Sequence, residues 1–124
     1  MLNQILFYTS AIFVVFWGIA HLVPTKNVVA GFGDISDDNK YIITMEWVIE
    51  GVALIFIGSL VGMVTFIDST NTVSHAVYWL SAGTLQVLAV ISLLTGSKVD
   101  FFIYKLCPVI FFGASFLILL GIVS

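Results

Sequence analysis

Apolar residues dominate four stretches of the chain, at positions 5–23, 41–67, 73–95 and 101–123, and polar residues collect in the three segments between them. Each stretch reaches the roughly 20 residues that an α-helix, rising about 1.5 Å per residue, needs to cross about 30 Å of hydrocarbon. The pattern predicts an all-α polytopic membrane protein, a four-transmembrane-helix bundle with short loops, folded as a single domain over residues 1–124. Local chemistry supports the boundaries. Pro24 follows the first run directly, and Asp37-Asp38-Asn39 precede the second, offering N-cap acceptors and negative charge at a helix start. Asp68-Ser69-Thr70-Asn71 and Gly96-Ser97 punctuate the later runs.

Composition then removes whole classes of function. The chain is 60% apolar and 9% charged, against about 25% charged in soluble domains, so any chemistry belongs in or beside the membrane. A net charge of −3 with only four basic residues, all lysine, gives no surface for a phosphodiester backbone, and no nucleic-acid partner is expected. With Cys107 alone, neither an intramolecular disulfide nor a CxxC couple nor a cysteine zinc site can be built. No metal site is expected. The acidic loop at positions 31–38 lacks the alternating ligands and terminal Glu of an EF-hand and reads as a solvated loop with a helix cap. Gly18-Ile19-Ala20 looks like a small-x-small cleavage triplet. Met1-Leu2-Asn3-Gln4 has no basic n-region, however, and the first run is read as a retained helix.

Lys26 and Lys40 flank the first loop, and Lys98 and Lys105 flank the third. Lysines near helix ends stay on the cytoplasmic side, so loops one and three are expected there, with both termini outside. Gly51, Gly58 and Gly62 on the second span, Ala82, Gly83 and Ala89 on the third, and Gly113, Ala114 and Ser115 on the fourth offer close helix approach.

Ionisable groups inside a span are costly and are functional candidates by default. Glu46 and Glu50 fall on one face of the second span, at depths of roughly 6–8 and 12–14 Å by the helical rise. His21, with Trp17 on its face, enters from the first span, Gln86 from the third, and Lys105 with Tyr104 from the fourth. These groups are expected to meet in the cytoplasmic half of the bundle. In the outer half only Ser59, Thr65, Tyr8 and Thr9 are expected, with His75 near the surface. Bland roles stay open for each: Lys105 snorkelling to the headgroups, His21 bonded to a loop carbonyl, Gln86 bridging helices, and Trp17, Trp47, Trp79 and Tyr78 as belt or core aromatics.

The run from Trp47 to Gly58, in which Glu50-Gly51 opens an apolar stretch ending in Gly58, resembles the DoxX-like family of small four-helix membrane proteins. Gly18 and His21, then Lys26 and Gly31-Phe32, are similar to that family's first helix and loop. The resemblance spans residues 17–62. It implies a bacterial inner-membrane protein of a functionally mixed group that includes subunits of thiosulfate:quinone oxidoreductase, oxidant-defence complexes and membrane chaperones. Only Glu50, Gly51 and, less closely, Gly18 and His21 carry over; Glu46 and Gln86 rest on depth and facing alone. The first expectation is a protein that binds a lipophilic molecule such as a quinone at Glu50, Glu46, His21, Gln86, Trp17 and Trp47, as a homo-oligomer or a subunit of a membrane redox complex. Two others stand beside it: an oligomeric proton-coupled transporter using Glu50, and an assembly factor whose polar cluster fixes helix register.

Overall fold

A computed structural model describes residues 1–124 and contains helices and turns but no strand. Helices α1 (Leu2–Leu22), α3 (Asp37–Asp68), α4 (Thr72–Leu94) and α5 (Phe102–Val123) are long and apolar enough to cross a membrane. A short helix α2 (Thr25–Ala30) follows α1, and one 3-10 turn (Gly96–Lys98) follows α4. The chain is a multi-pass membrane protein built as a four-helix bundle.

These helices follow the four apolar runs, with two corrections in the first loop. Ser36, rather than Asp37-Asp38-Asn39, caps α3: its Oγ accepts the Asn39 N–H at 3.3 Å, and Asp37 and Asp38 form an acidic first turn. The segment expected to be loop also contains α2, which packs on the start of α3. Gly33, at φ 77°, lies in the link between them, in a left-handed conformation that costs glycine little. Asn71 caps α4 by accepting the Val73 N–H at 2.8 Å.

The spans form a ring in the order α1, α3, α4, α5. α1 packs along α3 and α5, and α4 along α5, whereas α3 and α4 meet over a shorter stretch. Their side-chain contacts, Thr65 with Tyr78 and Ser74 with the Asp68 carbonyl, lie near the turn that joins them. Away from that turn the two helices part.

Glycines set the α1–α3 approach. A Cβ on Gly18 would stand 2.8 Å from the Gly51 carbonyl oxygen, and one on Gly58 would stand 2.7 Å from that of Ala11. Backbone therefore touches backbone, as small-residue helix contacts in membranes allow. Gly83 and Gly113 were expected to serve the same purpose, but nothing lies within 4 Å of a Cβ built on either. They face outward, while Ala82, Ala89, Ala114 and Ser115 are buried. The register also places Leu22, the last residue of α1, against Gly51. The first dozen residues of α3, roughly 18 Å of helix, therefore run beyond the end of α1.

Only 23 of 124 residues are buried, and large apolar side chains such as Phe56, Phe66 and Phe116 point outward. Lipid, unlike water, does not penalise that arrangement, so the interior is free to use small and polar residues. From the α3–α4 turn to the middle of the bundle it does. Ser10 donates to the Ala114 carbonyl (2.8 Å), Ser115 to that of Ala82 (2.9 Å) and Ser74 to that of Asp68 (2.6 Å). Thr65 Oγ1 donates its one hydrogen to the Val61 carbonyl, so the 2.9 Å contact with Tyr78 is donated by the phenol. The expectation that this half holds few polar groups is corrected. Serines of α1, α4 and α5 and a tyrosine of α4 are buried there and bond across to a neighbouring helix. Tyr78 is core, stacked on Phe7 at 3.8 Å, and Trp79 is exposed.

Candidate functional site

The opposite end, where α1 and α4 finish and α3 and α5 run in, carries all four lysines and the ionisable cluster. It is organised by Trp47. Its indole N–H donates to the His21 carbonyl at 2.7 Å, serving one of the carbonyls that the last turn of α1 leaves without a helical partner. Val23 N–H takes the Ile19 carbonyl and Thr25 Oγ1 that of Leu22, while Pro24 has no N–H to give the Ala20 carbonyl. The Trp47 ring stacks on the His21 imidazole, with centroids 3.8 Å apart, and meets Tyr104 of α5 edge-on at 6.0 Å. One tryptophan thus ties three helices together and fixes the plane of the histidine.

So held, His21 directs Nε2 at Glu50, 3.6 Å from Oε2. That is beyond hydrogen-bond length, so the two attract through space only when the imidazole is protonated. Their surroundings differ: the His21 side chain is 7% exposed and that of Glu50 46%. Glu50 lies about 40° around α3 from buried Leu54, on the flank that faces α4. It stays open because α4 has diverged at this level. Glu50 is also close enough to Tyr104 and Cys107 to act on both electrostatically.

Two buried nitrogens here lack a strong hydrogen-bond partner: Nε2 of His21, and Nε1 of Trp17, which has only the weakly accepting Cys107 sulfur beside it. Indole N–H is a donor only, and leaving such a group unpaired costs about 1–3 kcal/mol. A backbone acceptor is also exposed by the sequence: Pro108, buried inside α5, has no N–H to give the Tyr104 carbonyl. The sequence reading overlooked Pro108, although a proline inside an apolar run was a visible signal.

Of the remaining candidates, Glu46 borders the cluster, whereas Lys105 and Gln86 are not gathered in. Glu46 lies on the part of α3 that runs beyond the end of α1. It shares with Glu50 an open recess on the α3 surface, lined also by Ile42, Ile43, Trp47 and Ile49. Lys105 is exposed. Gln86 was expected level with Glu50 and is not. Thr65 and Tyr78 touch, Glu50 is 15 residues from the first and Gln86 eight from the second, so the two differ in depth by about 10 Å. Gln86 is also exposed. Gln86→Leu is expected to shift unfolding by less than about 0.5 kcal/mol; a larger loss in detergent melting would place its amide in an interhelical bond. His75 lies at the other end, in edge contact with Tyr78 at 5.9 Å.

Neither a family model, nor a curated protein, nor a solved structure matches the chain. Its own helices establish a multi-pass, all-helical membrane protein with one incompletely paired polar cluster at the lysine-bearing end.

Proposed function

We propose that the chain binds a lipophilic small molecule bearing hydrogen-bond acceptors, quinone-like in chemistry, at the His21–Glu50 cluster. The observation that carries this reading is the pair of buried nitrogens on Trp17 and His21 that lack a strong partner. A carbonyl oxygen would satisfy the indole N–H, and a second polar atom would meet His21 Nε2 or the Glu50 carboxyl. The flat stack of His21 on Trp47 suits a planar ring, and the divergence of α3 and α4 offers a way in from the bilayer.

In this reading the lysine-bearing end faces the cytoplasm of a bacterial inner membrane, in keeping with the DoxX-like resemblance. Redox work would fall to a homo-oligomer or membrane complex in which another subunit carries the electrons. The test is mass spectrometry of organic molecules that co-purify with the protein in mild detergent. Wild type is expected to hold a stoichiometric lipophile, Glu50→Ala to lose it, and Trp17→Phe to bind it about tenfold more weakly, as loss of one hydrogen bond predicts. A folded wild type that carries nothing, or two variants with full affinity, sinks the reading. Proton flux in liposomes abolished by Glu50→Gln would then favour transport.

A further inference from the structure

A second recess lies at the lysine-bearing end, apart from the His21–Glu50 cluster. It opens between α2 and the first turns of α3, has a volume of about 330 Å³, and is lined by Thr25, Lys26, Val29, Ala30, Gly33, Lys40 and Thr44. Two of the four lysines of the chain therefore border one concavity, and none of the acidic residues of the neighbouring loop lines it. We propose that this recess binds the phosphate of an anionic phospholipid.

Its donors are the two ammonium groups. Both threonine hydroxyls are already spent on backbone, Thr25 on the Leu22 carbonyl and Thr44 on that of Lys40. Lys40 lies 3.4 Å from Asp37, but both side chains are exposed, and such pairs contribute little and exchange readily. A phosphate between Lys26 and Lys40 would gain two charge-assisted contacts. The recess also sits where a headgroup belongs. Along α3 the positions Lys40, Thr44, Val48 and Val52 follow one another at intervals of four and form a single stripe. That stripe runs from charge through hydroxyl to exposed valines, with Ile19 exposed on α1. Acyl chains can lie along it while the phosphate stays at the lysines. Zwitterionic lipid carries a cation on the same headgroup and gains less. The inference does not depend on what the His21–Glu50 cluster binds.

Native mass spectrometry of the full chain, equilibrated in detergent with equal amounts of phosphatidylglycerol and phosphatidylcholine, tests it. Wild type is expected to retain phosphatidylglycerol preferentially. Lys26→Gln and Lys40→Gln should each lower that retention about fivefold. Ala30→Trp, which fills the recess without altering charge, should lower it as well and provides a second route should the charge variants prove unstable. Lys98→Gln with Lys105→Gln should leave it unchanged. Equal retention by the Lys26/Lys40 double variant, no effect of Ala30→Trp, or an equal loss on changing Lys98 and Lys105 would overturn the assignment, the last by showing a general surface attraction.

Discussion

Gly58→Leu is expected to cost about 3 kcal/mol and to open the α1–α3 interface, while Gly83→Leu is expected to be close to neutral. The Cβ alone explains the difference. On Gly58 it would stand 2.7 Å from the Ala11 carbonyl oxygen, 2.8 Å from Val15 Cγ2 and 2.9 Å from the Val15 nitrogen. Two of those atoms are backbone, so rotating a side chain cannot relieve the overlap and the helices must separate. Overpacking of this kind typically costs 1–3 kcal/mol. On Gly83 the same atom meets nothing within 4 Å and extends toward lipid. Unfolding in graded denaturing detergent, with helicity followed by circular dichroism, measures both. Similar losses for the two variants would show that α1 and α3 do not approach as described. The Gly58 variant should also lose any ligand bound at His21 and Glu50, because the same interface sets their spacing.

Tyr78→Ala should be the most damaging single change at the other end, at about 3–5 kcal/mol. The ring is fully buried, stacks on Phe7 with 14° between planes, and fills the centre where α1, α3 and α4 meet. Tyr78→Phe separates the ring from its hydroxyl. It removes the hydrogen bond donated to Thr65, while Thr65 keeps its own bond to the Val61 carbonyl, so about 1 kcal/mol should be lost. The same unfolding assay applies. A Phe variant as unstable as the Ala variant would put the stabilisation in the hydroxyl rather than in packing. Ligand binding at the far cluster should survive Tyr78→Phe.

The two ends of the bundle use buried polarity differently. Between the α3–α4 turn and the middle of the bundle the hydroxyls of Ser10, Thr65, Ser74, Tyr78 and Ser115 each have a partner, and the phenol and serines cross between helices. At the lysine-bearing end Trp17 Nε1 and His21 Nε2 lack a strong one, and a carboxylate stands half-exposed beside them. Paired groups fix helix register; unpaired ones are stabilised by whatever supplies the missing partner. Unmet hydrogen-bonding capacity is therefore found at the second end, although the first buries more polar side chains.

The sequence by itself determined the helical class, the four spans and the end at which charge gathers. Runs of 20 or more apolar residues have no alternative to helix in lipid, because every backbone N–H and C=O must be satisfied within the segment. It also singled out His21, Glu50, Trp17 and Trp47. Only the tertiary structure decided which of the candidates meet. Gln86 matches Glu50 in its distance from its helix end, but depth depends on the register between helices. That register is set by Gly18 against Gly51, Gly58 against Ala11, and Thr65 against Tyr78, contacts that local spacing does not encode. The same holds for which glycines approach a neighbour, for the burial of Tyr78, and for the recess that joins Lys26 to Lys40. Each follows from how far one helix slides and turns against another, and in lipid that is decided by packing between side chains distant in sequence.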